Sequence, residues 1–331
     1  MQALKLTLEP QTAFGTPLVG DTLFGQLCWA IAEQYGEARL TDCLQGYTEG
    51  KPFLVVSDAF PEGHLPLPTL PSSFWTQGTE TDRKKLKKRV WLPESALALP
   101  VREWQQHAKS DADLATELAA RKKEKHGETG YKDKNRHLRS AHSQPHNSIN
   151  RQTGTTGENG FAPYESEQIW YAPGSRWQIY LLLDESRISC DELRVLLANI
   201  GCTGYGRDAS VGLGKYTLIE LAATGTLART QGNACMTLAA SCPQGLGYDA
   251  AHSYYNTLTR FGRHGNVQAT AGQPFKKPVL MAQTAAVFSP APHHPFIGQG
   301  IAGISASQPQ AVHQGYAPVL PFTLDFEEPT P

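Results

Sequence analysis

The stretch from Gly204 to Tyr216 holds the residues whose types and spacing best suit contact with an anion. It reads Gly204-Tyr205-Gly206-Arg207-Asp208-Ala209-Ser210-Val211-Gly212-Leu213-Gly214-Lys215-Tyr216. Glycine leaves the neighbouring backbone N–H groups unshielded, so that a phosphate can approach them closely. Arg207, Lys215 and Ser210 add positive charge and a hydroxyl group. The sequence therefore predicts a phosphate-binding loop, and a flexible turn is the alternative that the glycines alone leave open.

The loop lacks the spacing of the common nucleotide-binding motifs. A P-loop, G-x-x-x-x-G-K-[ST], would need a glycine at Ala209 and a small hydroxyl residue at Tyr216. A dinucleotide fingerprint, G-x-G-x-x-G, fails because Ala209 and Thr217 occupy the position of the third glycine. Both motifs also run from strand to helix, whereas the order here is helix, loop, strand. We therefore expect no nucleotide cofactor, and no other cofactor is indicated.

Strong secondary-structure signals lie on both sides of the loop. Ser189 and Glu192 have the spacing of a capping box, and apolar residues then recur at helical spacing up to Ile200. Gly201 stands where a C-terminal cap is expected. After the loop, residues 216–221 are rich in strand formers. The sequence thus predicts a helix and a strand that hold the loop between them.

The elements before the loop complete a known arrangement. The predicted elements are strands over 4–9, 51–57 and 176–183 and a helix from a cap at Asp21 or Thr22 to Tyr35. Together with the helix and strand around the loop, they give the order β-α-β, insertion, β-α-β. This is the split βαβ order of a ferredoxin-like (RRM-like) domain, which we assign to residues 1–222.

Residues 223–331 show a similar order of strands and helix, with a weaker sequence pattern. The predicted elements are strands over 234–240, 278–288 and 319–326 and a helix over 254–261. We therefore predict an α+β fold with tandem ferredoxin-like domains, in which 223–331 is a second, degraded copy.

A long basic insertion, at about 76–165, interrupts the first domain. Residues 83–151 contain 17 Lys and Arg against 8 Asp and Glu, although the whole chain has a net charge of −1. A confined basic block suggests contact with a polyanion, and a solvated face is the plainer alternative. Because its periodicity is poor, we expect the insertion to be partly mobile without a partner. The candidate contacts in its last basic run are Lys132, Lys134, Arg136 and Arg139.

The sequence gives no sign of a metal-binding, secreted or membrane protein. The six cysteines form no C-x-x-C pair, and His137, His142 and His146 have neither cysteine nor paired carboxylates beside them, so no metal site is predicted. No signal-peptide pattern opens the chain, and no apolar run reaches membrane-spanning length. We expect a reduced, soluble, cytoplasmic protein without membrane contact.

Three stretches resemble motifs of the RAMP superfamily of CRISPR systems. The glycine loop resembles the RAMP signature between helix and strand. The run Gly20-Asp21-Thr22-Leu23-Phe24-Gly25 looks like the opening motif, although Gly20 or Val19 stands where serine or histidine is often found. The run His146-Asn147-Ser148-Ile149-Asn150-Arg151-Gln152-Thr153-Gly154, followed by Phe161 and Tyr164, resembles the motif of subunits that cap the guide RNA in type III effectors. Length and motif order fit subunit four of the type III-A (Csm) complex best, with its type III-B (Cmr) counterpart next.

The resemblance implies a non-catalytic RNA-binding subunit in antiviral defence. Such a subunit holds the repeat-derived 5′ tag of the guide RNA, docks on the large polymerase-type subunit and begins the row of backbone RAMP subunits. A thumb-like insertion reaches into the guide–target duplex, so that target RNA is met indirectly, and the 76–165 region is the candidate thumb.

The same resemblance implies that residues of the three motifs, together with Lys215, contact the guide RNA. They are Gly20, Asp21, Thr22, His146, Asn147, Asn150, Arg151, Gly204, Tyr205, Gly206, Arg207, Ser210, Gly212, Gly214 and Lys215. Arg151 and Arg207 are the strongest, since a guanidinium group can bind a phosphate with two hydrogen bonds and also stack on a base. Asp208 is instead a candidate tether for Arg207 or for the loop backbone.

Two other functions remain open. Some RAMP relatives are metal-independent endoribonucleases that cut precursor guide RNA with a histidine as general acid or base. The residue types for this chemistry would come from His146, Tyr131 or Tyr164, and Lys132 or Lys134. However, no histidine lies in the loop after the first strand or in the first helix, where several of those nucleases have theirs. The third function is a protein scaffold without RNA contact.

Overall fold

Six α-helices and fourteen β-strands make up the described part of the chain. The computed structural model describes all residues except 79, 81, 127–136, 158–159, 229–230, 266–273 and 327–331, and the side chains of 122–126. The helices are α1 (Gly20–Tyr35), α2 (Glu37–Leu44), α3 (Arg83–Lys88), α4 (Trp104–His107), α5 (Asp111–His126) and α6 (Cys190–Thr203). The strands are β1 (Gln2–Pro10), β2 (Leu54–Pro61), β3 (His64–Pro66), β4 (Trp91–Pro93), β5 (Arg139–His146), β6 (Tyr164–Tyr171), β7 (Trp177–Leu183), β8 (Tyr216–Ala223), β9 (Ala234–Thr237), β10 (Thr257–Arg260), β11 (Val279–Ala282), β12 (Val287–Phe288), β13 (Phe296–Ile301) and β14 (His313–Phe322). No helix in these described ranges is both long and apolar enough to cross a membrane.

The first four-stranded sheet has the predicted ferredoxin-like arrangement. Its order is β2-β7-β1-β8, and every neighbouring pair is antiparallel, as in a split βαβ domain. The alternating leucines of β1 are buried in its core. All seven residues of β7 are buried as well, which indicates that both faces of this strand are covered.

The interval between β2 and β7 is more regular than its sequence pattern indicates. The predicted insertion at 76–165 contains α3, β4, α4, α5, β5 and the start of β6. Trp91 packs edge-on against Trp177 of β7, with 6.4 Å between the ring centroids, and Trp104 is 1% exposed. Isolated aromatic anchors of this kind produce no periodic signal. The mobility of the insertion and its thumb role stay predictions, and Lys132, Lys134 and Arg136 lie outside the described residues.

A second antiparallel sheet follows β8, with the order β12-β9-β14-β13, and β10 and β11 form a separate hairpin. Among the described residues after 223 there is no α-helix. The predicted helix over 254–261 is wrong, because Thr257–Arg260 forms β10. Exposure alternates along this strand, so its period is two and not that of a helix.

The two four-stranded sheets share one hydrophobic core. Leu320 of β14 and Leu6 of β1 belong to the same buried cluster. The buried side chain of Gln314 donates to the Val56 carbonyl oxygen at 2.8 Å and accepts from the Val56 N–H at 2.9 Å. β2 is the edge strand of its sheet. The Gln314 amide group therefore takes the place of a neighbouring strand as the hydrogen-bond partner of the Val56 backbone. The predicted boundary between 1–222 and 223–331 stays a prediction.

Two helix termini differ from the sequence pattern. α1 starts at Gly20, before the predicted caps Asp21 and Thr22, and it has no side-chain cap because its N-cap residue is the apolar Val19. The Asp21 carboxylate lies 2.6 Å from Arg260 Nε. The capping box of α6 is confirmed. However, α6 runs past Gly201 and ends at Thr203, with Gly204 as its C-cap. Gly201 serves close packing, since a Cβ there would lie 2.5 Å from the Tyr216 carbonyl oxygen.

Candidate RNA-binding site

The glycine loop leaves α6 at Gly204 and enters β8 at Tyr216. All four of its glycines have positive φ angles, namely +114° at Gly204, +76° at Gly206, +98° at Gly212 and +76° at Gly214. This backbone region favours glycine. The loop is therefore a defined series of turns around a short 3-10 helix, Ala209–Val211.

Three polar side chains from the first 26 residues fix the loop backbone. The amide of Gln26 in α1 donates to the Gly204 carbonyl oxygen at 2.8 Å and accepts from the Gly206 N–H at 3.1 Å. The hydroxyl groups of Thr16 and Thr12 accept from the N–H groups of Arg207 and Lys215, each at 3.0 Å. None of these three side chains is among the residues predicted from the sequence. The one available signal is that Gln26 is a polar residue between the apolar positions of α1.

Tyr205 and Gly214 lie inside the protein and hold the loop together. Tyr205 is 0% exposed, and its hydroxyl donates to the Pro17 carbonyl oxygen at 2.9 Å. The Gly214 N–H donates to the Ala13 carbonyl oxygen at 2.7 Å, and a Cβ at Gly214 would lie 2.1 Å from the Tyr205 carbonyl oxygen. Both residues thus have a packing role in the loop. The RNA contacts predicted for them stay predictions.

The exposed part of the loop begins at Arg207. Its guanidinium group is half exposed, donates to the Glu167 carbonyl oxygen at 2.7 Å and pairs with the Asp208 carboxylate at 3.3 Å. Asp208 thus acts as the tether that the sequence analysis left open. Ser210 and Lys215 are also exposed. Among the described residues, none accepts a hydrogen bond from the N–H groups of residues 208–210.

The β5–β6 hairpin stands directly beside the loop. Phe14 and Ile169 exchange two backbone hydrogen bonds of 2.8 Å, which attach β6 to the segment after β1. Glu167, the acceptor for Arg207, pairs with Ser143 of β5. The glycine loop therefore contacts the same hairpin that carries the third motif, His146 to Gly154.

The third motif occupies the end of this hairpin. His146 stacks on Tyr164, with ring centroids 5.0 Å apart, and its Nε2 lies 2.8 Å from the Ser166 hydroxyl. The Asn150 side chain accepts from the Gln152 N–H at 2.9 Å and shapes a turn. The side chains of Asn147 and Arg151 are exposed.

Arg139 lies at the other end of the hairpin. Its guanidinium group is 5.8 Å from the Trp91 ring centroid and 3.8 Å from the Asp111 carboxylate. It is therefore directed towards α5 and β4, and it is separated along the strand from His146.

The opening motif is buried between the two sheets. The Gly20 N–H donates to the Asp58 carboxylate at 2.8 Å, and Asp21, 8% exposed, pairs with Arg260. The Thr22 hydroxyl donates to Asp21 Oδ1 at 3.2 Å. The Gly20 N–H thus joins α1 to β2, and Asp21 joins it to β10. The RNA contacts predicted for these two residues stay predictions.

Burial changes the ionisation of this junction. It raises the pKa of Asp58 to about 6, against the hydrogen bonds from Thr284 and Gly20, which lower it. Burial also lowers the pKa of His313, whose Nε2 is 3.6 Å from Asp21. Within the described ranges, no three His, Cys, Asp or Glu side chains come together in a metal-binding group.

The sequence matches no protein-family model, and no curated protein is similar to it by sequence. Solved structures do match. A chain of the Csm3–Csm4 subcomplex of the type III-A CRISPR-Cas interference complex gives a TM-score of 0.62 at 16% identity, covering 97% of this chain and 99% of that one. This chain therefore shares the fold of a chain of that subcomplex. A chain of the Csm1–Csm4 cassette in complex with pppApApA gives 0.55 at 14% identity, covering 99% and 100%. The cassette in complex with pppApA gives 0.52 at 14% identity, with complete coverage of both chains.

The ferredoxin-like α+β fold predicted from the order of the elements is therefore confirmed, and the role of the long basic insertion stays a prediction. At such low identity the similarity establishes the fold alone.

Proposed function

We propose that this protein is a non-catalytic RNA-binding subunit of a type III CRISPR effector complex in the cytoplasm. It holds the 5′ tag of the guide RNA and joins a large polymerase-type subunit to the backbone RAMP subunits. The observation that carries the proposal is the similarity of fold over nearly the whole chain to a chain of the Csm3–Csm4 subcomplex.

The geometry beside the glycine loop supports RNA as the ligand. Arg207 and Lys215 are exposed on the loop, and Arg151 is exposed on the hairpin. Arg207 is already oriented by the Glu167 carbonyl oxygen, so less conformational freedom is lost when it contacts a phosphate. Exposed Tyr164, stacked on His146, adds an aromatic surface for a base.

The nuclease alternative has less support. His146 is engaged with Ser166 and Tyr164 at the end of an exposed hairpin. The described partner for His146 in acid–base catalysis would be Tyr164, and Tyr131, Lys132 and Lys134 lie outside the described residues. We propose binding without cleavage because no histidine lies in the loop after the first strand or in the first helix.

Filter binding and a cleavage gel test the proposal together. Purified protein is mixed with a labelled guide RNA that carries its 5′ tag, and separately with precursor guide RNA. We expect retention of the tagged guide and no specific cut, with or without divalent metal. A single cut that His146→Ala abolishes would support the nuclease instead. Absence of binding together with co-purification of both partner subunits would support the scaffold.

A further inference from the structure

The β10–β11 hairpin presents large apolar side chains to solvent. Phe261 is 72% exposed, Phe275 is 70% exposed and Leu280 is 56% exposed. Exposure alternates from Thr257 to Arg263, so Phe261 continues the outward row of β10. Leu280 of β11 pairs with Thr259 in this row. Two exposed phenylalanines on one small hairpin indicate a binding site, because exposed apolar patches mark interaction surfaces.

The same hairpin is cationic and has no acidic residue of its own. Residues 250–324 contain no Asp or Glu, and the hairpin region contains Arg260, Arg263, Lys276 and Lys277. The Arg263 guanidinium group lies 5.6 Å from the Phe275 ring centroid, and Lys277 is exposed. Protein interfaces are depleted in Lys, whereas cations that include Lys, interleaved with aromatic rings, are the pattern of single-strand nucleic-acid binding.

Helix α1 connects this hairpin to the glycine loop. Its Asp21 pairs with Arg260 at 2.6 Å, and Trp29 lies against Gly265. The same helix holds the loop through Gln26. The two cationic surfaces are thus positioned by one rigid element.

We propose that the β10–β11 hairpin is a second binding surface for single-stranded RNA. Bases stack on Phe261 and Phe275, and phosphates pair with Arg263 and Lys277. The proposal goes beyond the proposed function by assigning RNA contact to the C-terminal part of the chain, and it rests on that function only in taking RNA as the ligand.

Fluorescence anisotropy on the full chain tests this surface. The probe is a fluorescein-labelled single-stranded guide RNA with its tag, and the competitor is the same RNA annealed to its complement. The double variant Phe261→Ala/Phe275→Ala should bind the single strand at least about tenfold more weakly, since each stacked base contributes measurably. The variant Phe261→Leu/Phe275→Leu should lose similar affinity, because leucine keeps apolar area but has no π-face. Leu246→Ala, at an exposed apolar residue outside the β10–β11 hairpin, is the matched control and should bind like wild type.

The outcomes separate this surface from the loop. Wild-type affinity in both phenylalanine variants, at an unchanged thermal midpoint, would overturn the second surface, as would loss of partner-subunit binding without loss of RNA affinity. If only Arg207→Ala loses RNA affinity, the second surface is rejected and the proposed function, which rests on the loop, is retained. Loss in the phenylalanine variants alone would retain the hairpin and reject the loop. A wild-type protein that binds no RNA would reject both.

Discussion

At the residue scale, Asp58 couples the two sheets through a single carboxylate. It accepts hydrogen bonds from the Gly20 N–H and the Thr284 hydroxyl, and its own N–H donates to the Leu238 carbonyl oxygen. Burial raises its pKa from 3.8 to about 6. Between these values the folded protein retains a proton that the unfolded chain has released. The stability contributed by Asp58 is therefore fully present below pH 3.8 and is lost as the pH rises to about 6.

Asp58→Asn should remove this pH dependence. The asparagine can still accept from Gly20 and can donate to the Thr284 hydroxyl. We expect the variant to gain stability relative to wild type as the pH rises through the window, by up to about 3 kcal/mol. Thermal midpoints of both proteins across this range provide the measurement. The lowered pKa of His313 acts in the opposite direction, but it is common to both proteins and cancels in the difference. Parallel pH profiles would contradict the assignment.

Gly212 and Gly214 should respond differently to alanine. Gly214→Ala combines a positive φ with a Cβ only 2.1 Å from the Tyr205 carbonyl oxygen. Gly212→Ala has the positive φ but no atom within 4 Å of the Cβ. We expect about 1–2 kcal/mol of destabilisation at Gly212 and at least about 4 kcal/mol at Gly214. Thermal unfolding of the two variants measures this, and equal losses would mean that the loop rearranges.

At the element scale, alternation predicts β1, helical spacing predicts α1 and α6, and a run of strand-forming residues predicts β7 and β8. The half-buried elements have a clear period in their sequences, whereas β7, which is buried on both faces, is a nearly continuous apolar run. Polar anchors such as Gln26 and Thr16 were not predictable, because they bind loop backbone far away in the chain and leave no local pattern. The error over 254–261 came from reading an exposed hairpin, whose apolar residues are on its surface, as an amphipathic helix.

The short helix α3 lies in the basic block of residues 83–151, and its lysines are the described residues best suited to test whether this block binds RNA. Lys84, Lys85, Lys87 and Lys88 are all exposed, although Lys85 lies 3.3 Å from Glu80. If they neutralise phosphates, replacing them with glutamine should flatten the log–log salt dependence of RNA affinity by about 0.7 for each lost contact. Lys51→Gln, outside the block, should leave the slope unchanged. An unchanged slope in the fourfold variant would assign α3 to solvent or to a protein partner.

At the scale of the whole molecule, Gln314 connects the two sheets through the backbone of Val56. Gln314→Leu keeps a similar volume but leaves a buried N–H and a buried carbonyl group without their partner. Each orphaned group costs about 1–3 kcal/mol, so we expect a clear fall in the thermal midpoint of a single transition. Gln299→Leu, on neighbouring β13, is the control and should change it little. Two separate transitions in the Gln314 variant would show that the sheets unfold independently.

The most direct test of RNA capping compares a guide RNA that carries its 5′ tag with the same guide without it. Filter binding measures the affinity of each RNA for wild type, for Arg207→Ala and for Val195→Ala, which alters an exposed residue of α6. The account predicts that wild type and Val195→Ala prefer the tagged guide. It predicts that Arg207→Ala loses most of this preference, about tenfold or more, since a hydrogen bond to a charged group contributes roughly 1.5–3 kcal/mol. A wild-type protein that binds both guides equally would contradict the account, and so would an Arg207→Ala variant that retains the full preference.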